Sequence, residues 1–258
     1  MDVQLEREIR KLRRLNAVTL GALIILAGAA FTGLVRPAPS AKFDVIDVGR
    51  INIREPDGTI RLAISNKAHF PDPVIDGKTY PLRGGAKPAG MIFFNDLGDE
   101  DGGLIWNGKK VGDGYDAGAS LTMDQWRQDQ TVQLSYEGGG GPQHTNWAGL
   151  RVIDRPEKPM APMLDRAMQA MKLPAGAARD SAMRAVRQFA IDSGFTPASR
   201  ILIGKGAEKA ATVRLNDPAG RTRILLSVDS LGAPSIQLLD SAGRVTYRIP
   251  SDGGAGEH

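Results

Sequence analysis

The sequence predicts a mainly β protein of repeated antiparallel hairpins, arranged as a sandwich or solenoid-like stack, with one N-terminal transmembrane helix and a small two-helix segment. Three observations predict this fold class. Glycine (31) and proline (16) are abundant while aromatic residues make up only 5% of the chain, which indicates many turns and an aliphatic core. Segments of alternating apolar residues recur around glycine turns. A long uncharged run follows a basic N-terminus.

The uncharged run covers residues 15–35. As a helix, it would span roughly 30 Å, which is the thickness of a bilayer's hydrocarbon core. Only Arg36 and Lys42 follow it closely, whereas five basic residues precede it: Arg7, Arg10, Lys11, Arg13 and Arg14. The positive-inside rule therefore predicts a cytoplasmic N-terminus, with everything after Val35 on the other side of the membrane.

A cleaved signal peptide is the alternative to this anchor, because Ala27-Gly28-Ala29 has the small-residue form of a cleavage site. The apolar run is longer than an ordinary signal core, and Asp2, Glu6 and Glu8 are unusual in a signal's basic region. We therefore favour an uncleaved anchor. Small residues four apart, as in Ala17/Gly21, would also let two such helices approach closely.

The chain divides into segments of different composition. A stiff linker with alternating prolines follows the membrane run, and helical spacing at Ala161–Lys172 and Ala177–Ser193 separates two β regions. The predicted organisation is a cytoplasmic tail (1–14), a transmembrane helix (15–35), a linker (36–42), a β-rich region (43–154), a helical pair (155–197), a β-hairpin repeat region (198–250) and a tail (251–258).

The hairpin repeat is defined by its glycine. Around Gly58, Gly220 and Gly243, apolar residues stand seven and five positions before the glycine and two, four and six after it, except that Thr222 is polar. This register predicts hairpins with one apolar face. Glu55, Asp217 and Asp240 precede the three glycines by three positions, and Arg61 and Arg223 follow the first two, so we expect ion pairs across these hairpins.

Residues 91–106 resemble a fourth hairpin with a longer acidic loop. The likeness of the hairpins predicts that both β regions share one sheet system, with the helices packed outside.

Composition also excludes several classes of function. The chain has no cysteine, which excludes disulfides, thiolate metal sites and a cysteine nucleophile. Its 33 basic residues are interleaved with 29 acidic ones and form no basic block beyond the N-terminus, which argues against nucleic-acid binding. Its three histidines are far apart in the sequence, and neither a nucleophile elbow nor a phosphate loop is present, so we predict no enzyme, no catalytic residues and no cofactor.

Two groups of residues are candidate binding sites. Asp96, Asp99 and Asp101 supply clustered oxygens that suit calcium, although Leu97 stands where the EF-hand pattern needs a ligand, and a solvated turn is the alternative. Asp124, Trp126 and Asp129, together with Trp106, form a second candidate, a ligand surface of the kind that binds carbohydrate. Paired carboxylates there would suit glycoside hydrolysis, and the alternative is a turn whose tryptophan covers the core.

Four stretches of the chain resemble a family of bacterial membrane-anchored proteins without an established function. They are RINIREPDGTIRLAISN (50–66), PAGMIFFNDLGDEDGGLIWNG (88–108), LTMDQWRQDQTVQL (121–134) and ILLSVDSLGAPSIQLLDSAGRV (224–245). The resemblance implies a bacterial inner-membrane protein whose main domain is periplasmic or otherwise extracytoplasmic. It implies no activity and no catalytic residues.

These observations together predict a membrane-tethered β domain that acts as a binding, scaffold or accessory subunit of an envelope or membrane complex. Its expected partners are the membrane and either another envelope protein or further copies of the same chain. A carbohydrate-active envelope hydrolase that uses Asp/Glu pairs is the alternative.

Overall fold

The computed structural model describes residues 2–34, 41–82, 87–140, 145–206 and 208–250. The chain forms two compact units, Met1–Asp47 and Val48–His258. The first contains a single helix, α1 (Asp2–Leu34). Within the described residues, no helix is long and apolar enough to cross a membrane, so the structure does not support the transmembrane part of the predicted fold class. Val35, where the predicted span ends, and linker residues 36–40 lie outside the described residues.

The second unit is mainly β. Its strands are β1 (Arg50–Arg54), β2 (Ile60–Ser65), β3 (Val74–Ile75), β4 (Lys78–Thr79), β5 (Ala89–Phe94), β6 (Glu100–Val111), β7 (Gly114–Asp124), β8 (Gln130–Gly139), β9 (Thr145–Asp154), β10 (Ala198–Lys205), β11 (Ala211–Asn216), β12 (Thr222–Val228), β13 (Pro234–Leu239) and β14 (Val245–Ile249). Two helices, α2 (Ala161–Met171) and α3 (Ala177–Asp192), lie between β9 and β10, within a residue of the predicted bounds. A 3₁₀ turn covers Lys67–His69.

Twelve of the strands form one antiparallel sheet in the order β1-β2-β5-β6-β7-β8-β9-β10-β11-β12-β13-β14. Because β9 pairs with β10, both predicted β regions belong to this sheet. The expectation of a sandwich or a solenoid was wrong for the described residues. Each strand pairs with the one before it in the sheet, so no strand crosses to a second large sheet, and only the β3–β4 hairpin stands apart.

One five-residue turn joins most neighbouring strands. The first residue of the turn donates its backbone N–H to the carbonyl oxygen of the fifth residue, and its own carbonyl oxygen accepts the N–H of the fourth. In the turn that begins at Asp217, the distance from Asp217 N to Arg221 O is 2.9 Å. The fourth residue has a positive φ in six turns, and it is glycine in five of them. This is the geometry of a bulged hairpin. The six turns begin at Glu55, Asn95, Gly206, Asp217, Asp229 and Asp240, and a seventh, at Gln125, makes the same two hydrogen bonds.

In four of these turns the first residue is Asp or Asn for a local reason. The Asp217 carboxylate accepts the N–H groups of Ala219 and Arg221, and Asp229 and Asp240 accept the equivalent pairs. These backbone hydrogen bonds lower the pKa of all three carboxyl groups, whereas burial acts to raise it. At Asp217 burial is the largest single effect, but the lowering effects together outweigh it. The acidic residue therefore closes its own turn.

Two sequence expectations about the hairpins need adjustment. The 91–106 hairpin has the same tight turn as the others rather than a longer acidic loop, because the Asn95 side chain accepts the N–H groups of Leu97 and Asp99. The expected ion pairs are present, with Arg61 3.4 Å from Glu55, but Arg223 lies a looser 3.8 Å from Asp217, whose nearer partner is Arg221.

The buried apolar side chains of the described large sheet all lie on one of its faces. Ala63 and Ile92, which are paired across β2 and β5, pack with Phe94 and Phe70. A second cluster joins the β3–β4 hairpin to α2 through Ile75, Tyr80 and Leu164. We call the side of the sheet that carries Ala63 and Ile92 the covered face. The buried side chains of this face lie in strands β2 to β8, from Ala63 to Ser135.

Gly243 gives a test of the turn geometry. It has φ +79°, and apart from its chain neighbours no described atom lies within 4 Å of the position that a Cβ would occupy. Backbone strain alone should therefore make Gly243→Ala lower the free energy of unfolding by about 1 kcal/mol, with a smaller loss for Gly243→Asn. Urea denaturation measures this change.

Gly108→Ala is the matched control, because Gly108 also has open space around it but lies within β6 without a positive φ. We expect its free energy of unfolding to change by less than about 0.5 kcal/mol. Equal losses at the two glycines would contradict the assignment of the turn.

Candidate interaction surface

The face of the sheet opposite the covered face carries an unbroken row of apolar residues. Each member is the cross-strand partner of the next, and side chains in register share a face. The row crosses all twelve strands. It consists of Ile51, Ile64, Met91, Leu104, Leu121, Leu134, Leu150, Ile203, Val213, Leu226, Ile236 and Ile249.

A second apolar row runs beside the first, two residues away on each strand and alternately after and before it in the sequence. It consists of Ile53, Leu62, Phe93, Gly102, Met123, Val132, Val152, Ile201, Leu215, Ile224, Leu238 and Tyr247. The one residue without a side chain, Gly102, has φ +128°, and a Cβ there would lie 2.3 Å from the Thr122 carbonyl oxygen. We call the two rows together the apolar face.

The apolar face has no cover among the described residues. None of its residues with a side chain is buried, and twelve are among the exposed large hydrophobics. Leu134 is 55% exposed and Ile249 is 48% exposed, although both lie in regular strands. Contiguous apolar patches larger than a few hundred Å² mark interaction sites on soluble domains. This face therefore has the character of an interface.

The C-terminal third of the sheet lacks a core altogether. Every buried residue in the described chain lies between Ala63 and Ala170, whereas β10–β14 contribute none. A groove of about 560 Å³ lies against these strands and is lined mainly by Ile203, Val213, Leu226 and Ile236. A single-layer sheet buries little apolar area, so these strands need further cover to be stable in water.

The covered face is polar in the same region. One row of cross-strand partners on this face consists of Gln133, Arg151, Leu202, Arg214, Leu225, Gln237 and Arg248. Its two leucines are its only apolar members. Arg151 lies 3.3 Å from Gln133 and 4.1 Å from the centre of the Trp147 ring. The two sides of β10–β14 thus differ strongly, and only one of them suits an apolar partner.

The second predicted site, at the end of β7, contains an unusual carboxyl group. Burial is the main cause that raises the pKa of Asp124 to about 8, and the charges of Glu100, Asp129 and Asp101 raise it further, while Arg155 opposes them. The Oδ1 atom of Asp124 has no hydrogen-bond partner. Asp124 is therefore protonated at neutral pH, which sequence reasoning could not show because the effect depends on burial.

The structure brings together only part of the predicted ligand surface. Asp124, Trp126 and Asp129 belong to the β7–β8 turn, where Asp129 lies 3.3 Å from Arg155 and the Trp126 ring is exposed. Trp106 pairs with Ala119 of β7. Ala119 lies five residues before Asp124 on that strand, which is a distance of about 17 Å. It stands on the same side of the sheet as the apolar face, and it extends that face rather than the turn.

The calcium prediction finds no support in the described residues, which contain no group of three or more acidic or histidine side chains arranged to hold a metal ion. Asp96 forms an ion pair with Arg61, and Asp99 is buried and accepts the N–H of Gly77 at 2.7 Å. Asp99 therefore has a structural role: it joins the tight turn at Asn95 to the β3–β4 hairpin.

Comparison with known proteins adds no further assignment. No protein-family model matches the sequence, and no curated protein matches it. The class that the fold and surface define is an antiparallel β protein with one uncovered apolar face. The resemblance to bacterial membrane-anchored proteins stays a prediction.

The raised pKa of Asp124 predicts a pH dependence of stability. The folded protein binds this proton more tightly than the unfolded chain, so the contribution is present in full below about pH 4 and is lost as pH rises to about 8. From pH 6 to pH 9 the wild-type free energy of unfolding should fall by about 2 kcal/mol through this group. Asp124→Asn should remove that loss, as measured by urea denaturation at both pH values.

Asp116→Asn is the control, because Asp116 is an exposed carboxylate on the same strand. It should leave the wild-type pH dependence in place. An unchanged pH profile in Asp124→Asn would contradict a buried, protonated Asp124.

Proposed function

We propose that this chain is a non-enzymatic binding or scaffold subunit of an envelope or membrane complex, tethered by its N-terminal helix to a bacterial cytoplasmic membrane. The β domain would lie on the extracytoplasmic side. The observation that carries the proposal is the apolar face, which crosses twelve strands and has no cover among the described residues. A binding subunit needs such a surface, whereas an enzyme needs a cleft with convergent polar groups.

The chemistry of the face supports a protein partner. Its two rows contain no charged side chain, and Tyr247 carries their one hydroxyl. Desolvating such a surface costs little, while burying it gains about 25 cal/mol for each Å² removed from water. The core of a protein–protein interface has this composition, with charged residues depleted.

The sequence alone supports the membrane tether. Residues 15–35 have no charge, and the run continues beyond the described side chains of α1, which end at Gly28. The basic residues before it orient such a helix with its N-terminus in the cytoplasm. The helix that would carry the anchor does form, from Asp2 to Leu34.

A carbohydrate-active hydrolase is the second candidate, and Asp124 is the observation that favours it. A carboxylic acid that keeps its proton near neutral pH beside the carboxylates of Glu100 and Asp129 resembles the acid and base pair of glycosidases. The exposed Trp126 ring could stack on a sugar. Turnover of a glycan panel by the wild type, lost in Asp124→Asn, would favour the hydrolase over the scaffold.

The proposed function predicts a partner that depends on the apolar face. The full-length chain, tagged at its C-terminus, should fractionate with membranes and withstand alkaline extraction. From mild detergent it should retain a stoichiometric partner, which Ile236→Asp removes because the new carboxylate would be buried in the interface. Gln237→Asp places the same charge on the opposite face, one residue away, and should retain the partner.

Quantitative mass spectrometry of the purified material is the measurement. Recovery of the chain in the soluble fraction would contradict the tether. Equal recovery of every co-purified protein, including a co-expressed untagged copy of the chain, by Ile236→Asp and Gln237→Asp would contradict the apolar face as the binding surface.

A further inference from the structure

We infer that the partner of the apolar face is the same face of a second copy of this chain. The inference rests on the proposed function and names its partner. Two sheets would then stack about 10 Å apart and enclose the apolar rows of both copies as one core. The sandwich that the sequence predicts within one chain would thus form between two chains.

The size of the face matches what a stable dimer needs. Twelve strands at about 4.8 Å spacing extend over about 58 Å, and two rows cover a width of about 14 Å. Pairing these faces would bury about 800 Å² on each copy, the amount found in standard stable interfaces. The β10–β14 strands alone supply less than half of this area. The contact must therefore extend along most of the sheet.

The composition of the face favours a copy over a different partner. A twofold interface places the same patch on both sides, so the patch must complement itself. Uniform rows of aliphatic residues do so, because they present no charge that a copy would repel and no hydrogen-bonding pattern that requires a matching partner. The nearest charges in register lie one position outside the two rows: Lys205, which pairs with Ala148 and Ala211, and Asp154, which pairs with Ala198.

The mass of the purified full-length chain in mild detergent tests the inference, measured by light scattering with the detergent's contribution subtracted. We expect twice 27.6 kDa for the wild type. Leu134→Asp, near the middle of the row, and Ile236→Asp, near its end, should each raise the dimer dissociation constant at least about 100-fold, since each buries two unpaired charges. Gln133→Glu and Gln237→Asp, their neighbours on the covered face, should stay dimeric.

A single-chain mass for the wild type would overturn the inference, as would a dimer that survives both apolar-face substitutions. If Ile236→Asp does not fold by circular dichroism, Ile236→Ala takes its place and should weaken the dimer about tenfold. The proposed function has a separate outcome. A monomeric wild type that still loses its co-purified partner in Ile236→Asp would keep the binding function and replace the second copy with that partner.

Discussion

The strand register of the twelve-stranded sheet is the constraint on which the rest of the structure depends. Side chains alternate between the faces of a strand, so a slip of one residue at any hairpin would interrupt both apolar rows from that strand onward. The tight turns prevent such slips. Each closes through the same two backbone hydrogen bonds, and in most of them a carboxylate or amide side chain adds two more. A local feature, repeated along the chain, therefore produces a surface about 58 Å long.

The two faces of the sheet differ in whether the described chain covers them. The β3–β4 hairpin packs on the covered face and α2 packs on that hairpin, which gives the buried clusters around Ile92 and Tyr80. No equivalent layer of the described chain lies over the apolar face. The residues that would fill a core in a sandwich, such as Leu226 and Ile236, are instead available to a partner. Stability of the C-terminal strands and binding are thus coupled, because the same contact would supply both.

Much of this could be predicted from the sequence, because its signals are local. The spacing of apolar residues around Gly58, Gly220 and Gly243 correctly predicted the hairpins, although the bulge turns Ile60, two positions after Gly58, to the covered face. The helical periods correctly predicted α2 and α3. The likeness of the hairpins predicted that both β regions share one sheet, but not that β9 pairs with β10 to join them. The absence of a second layer could not be predicted, because alternation shows that a face is apolar but not what covers it. Similarly, the sequence marks Asp124 as a candidate site residue but does not show its raised pKa, which arises from burial and from the charge of Glu100 in the folded chain.

The reactivity of two adjacent single-cysteine variants tests most directly whether the apolar face is covered in its native setting. The chain has no cysteine of its own, so Leu226→Cys on the apolar face and Leu225→Cys on the other face each introduce one thiol. In an isolated chain, Leu226 is the more exposed of the two. If a partner covers the face, a thiol at position 226 in native membranes will react with maleimide much more slowly than one at position 225, and will become reactive when the protein is unfolded. A thiol at position 226 that reacts as fast as one at position 225, or faster, would contradict an interface on this face.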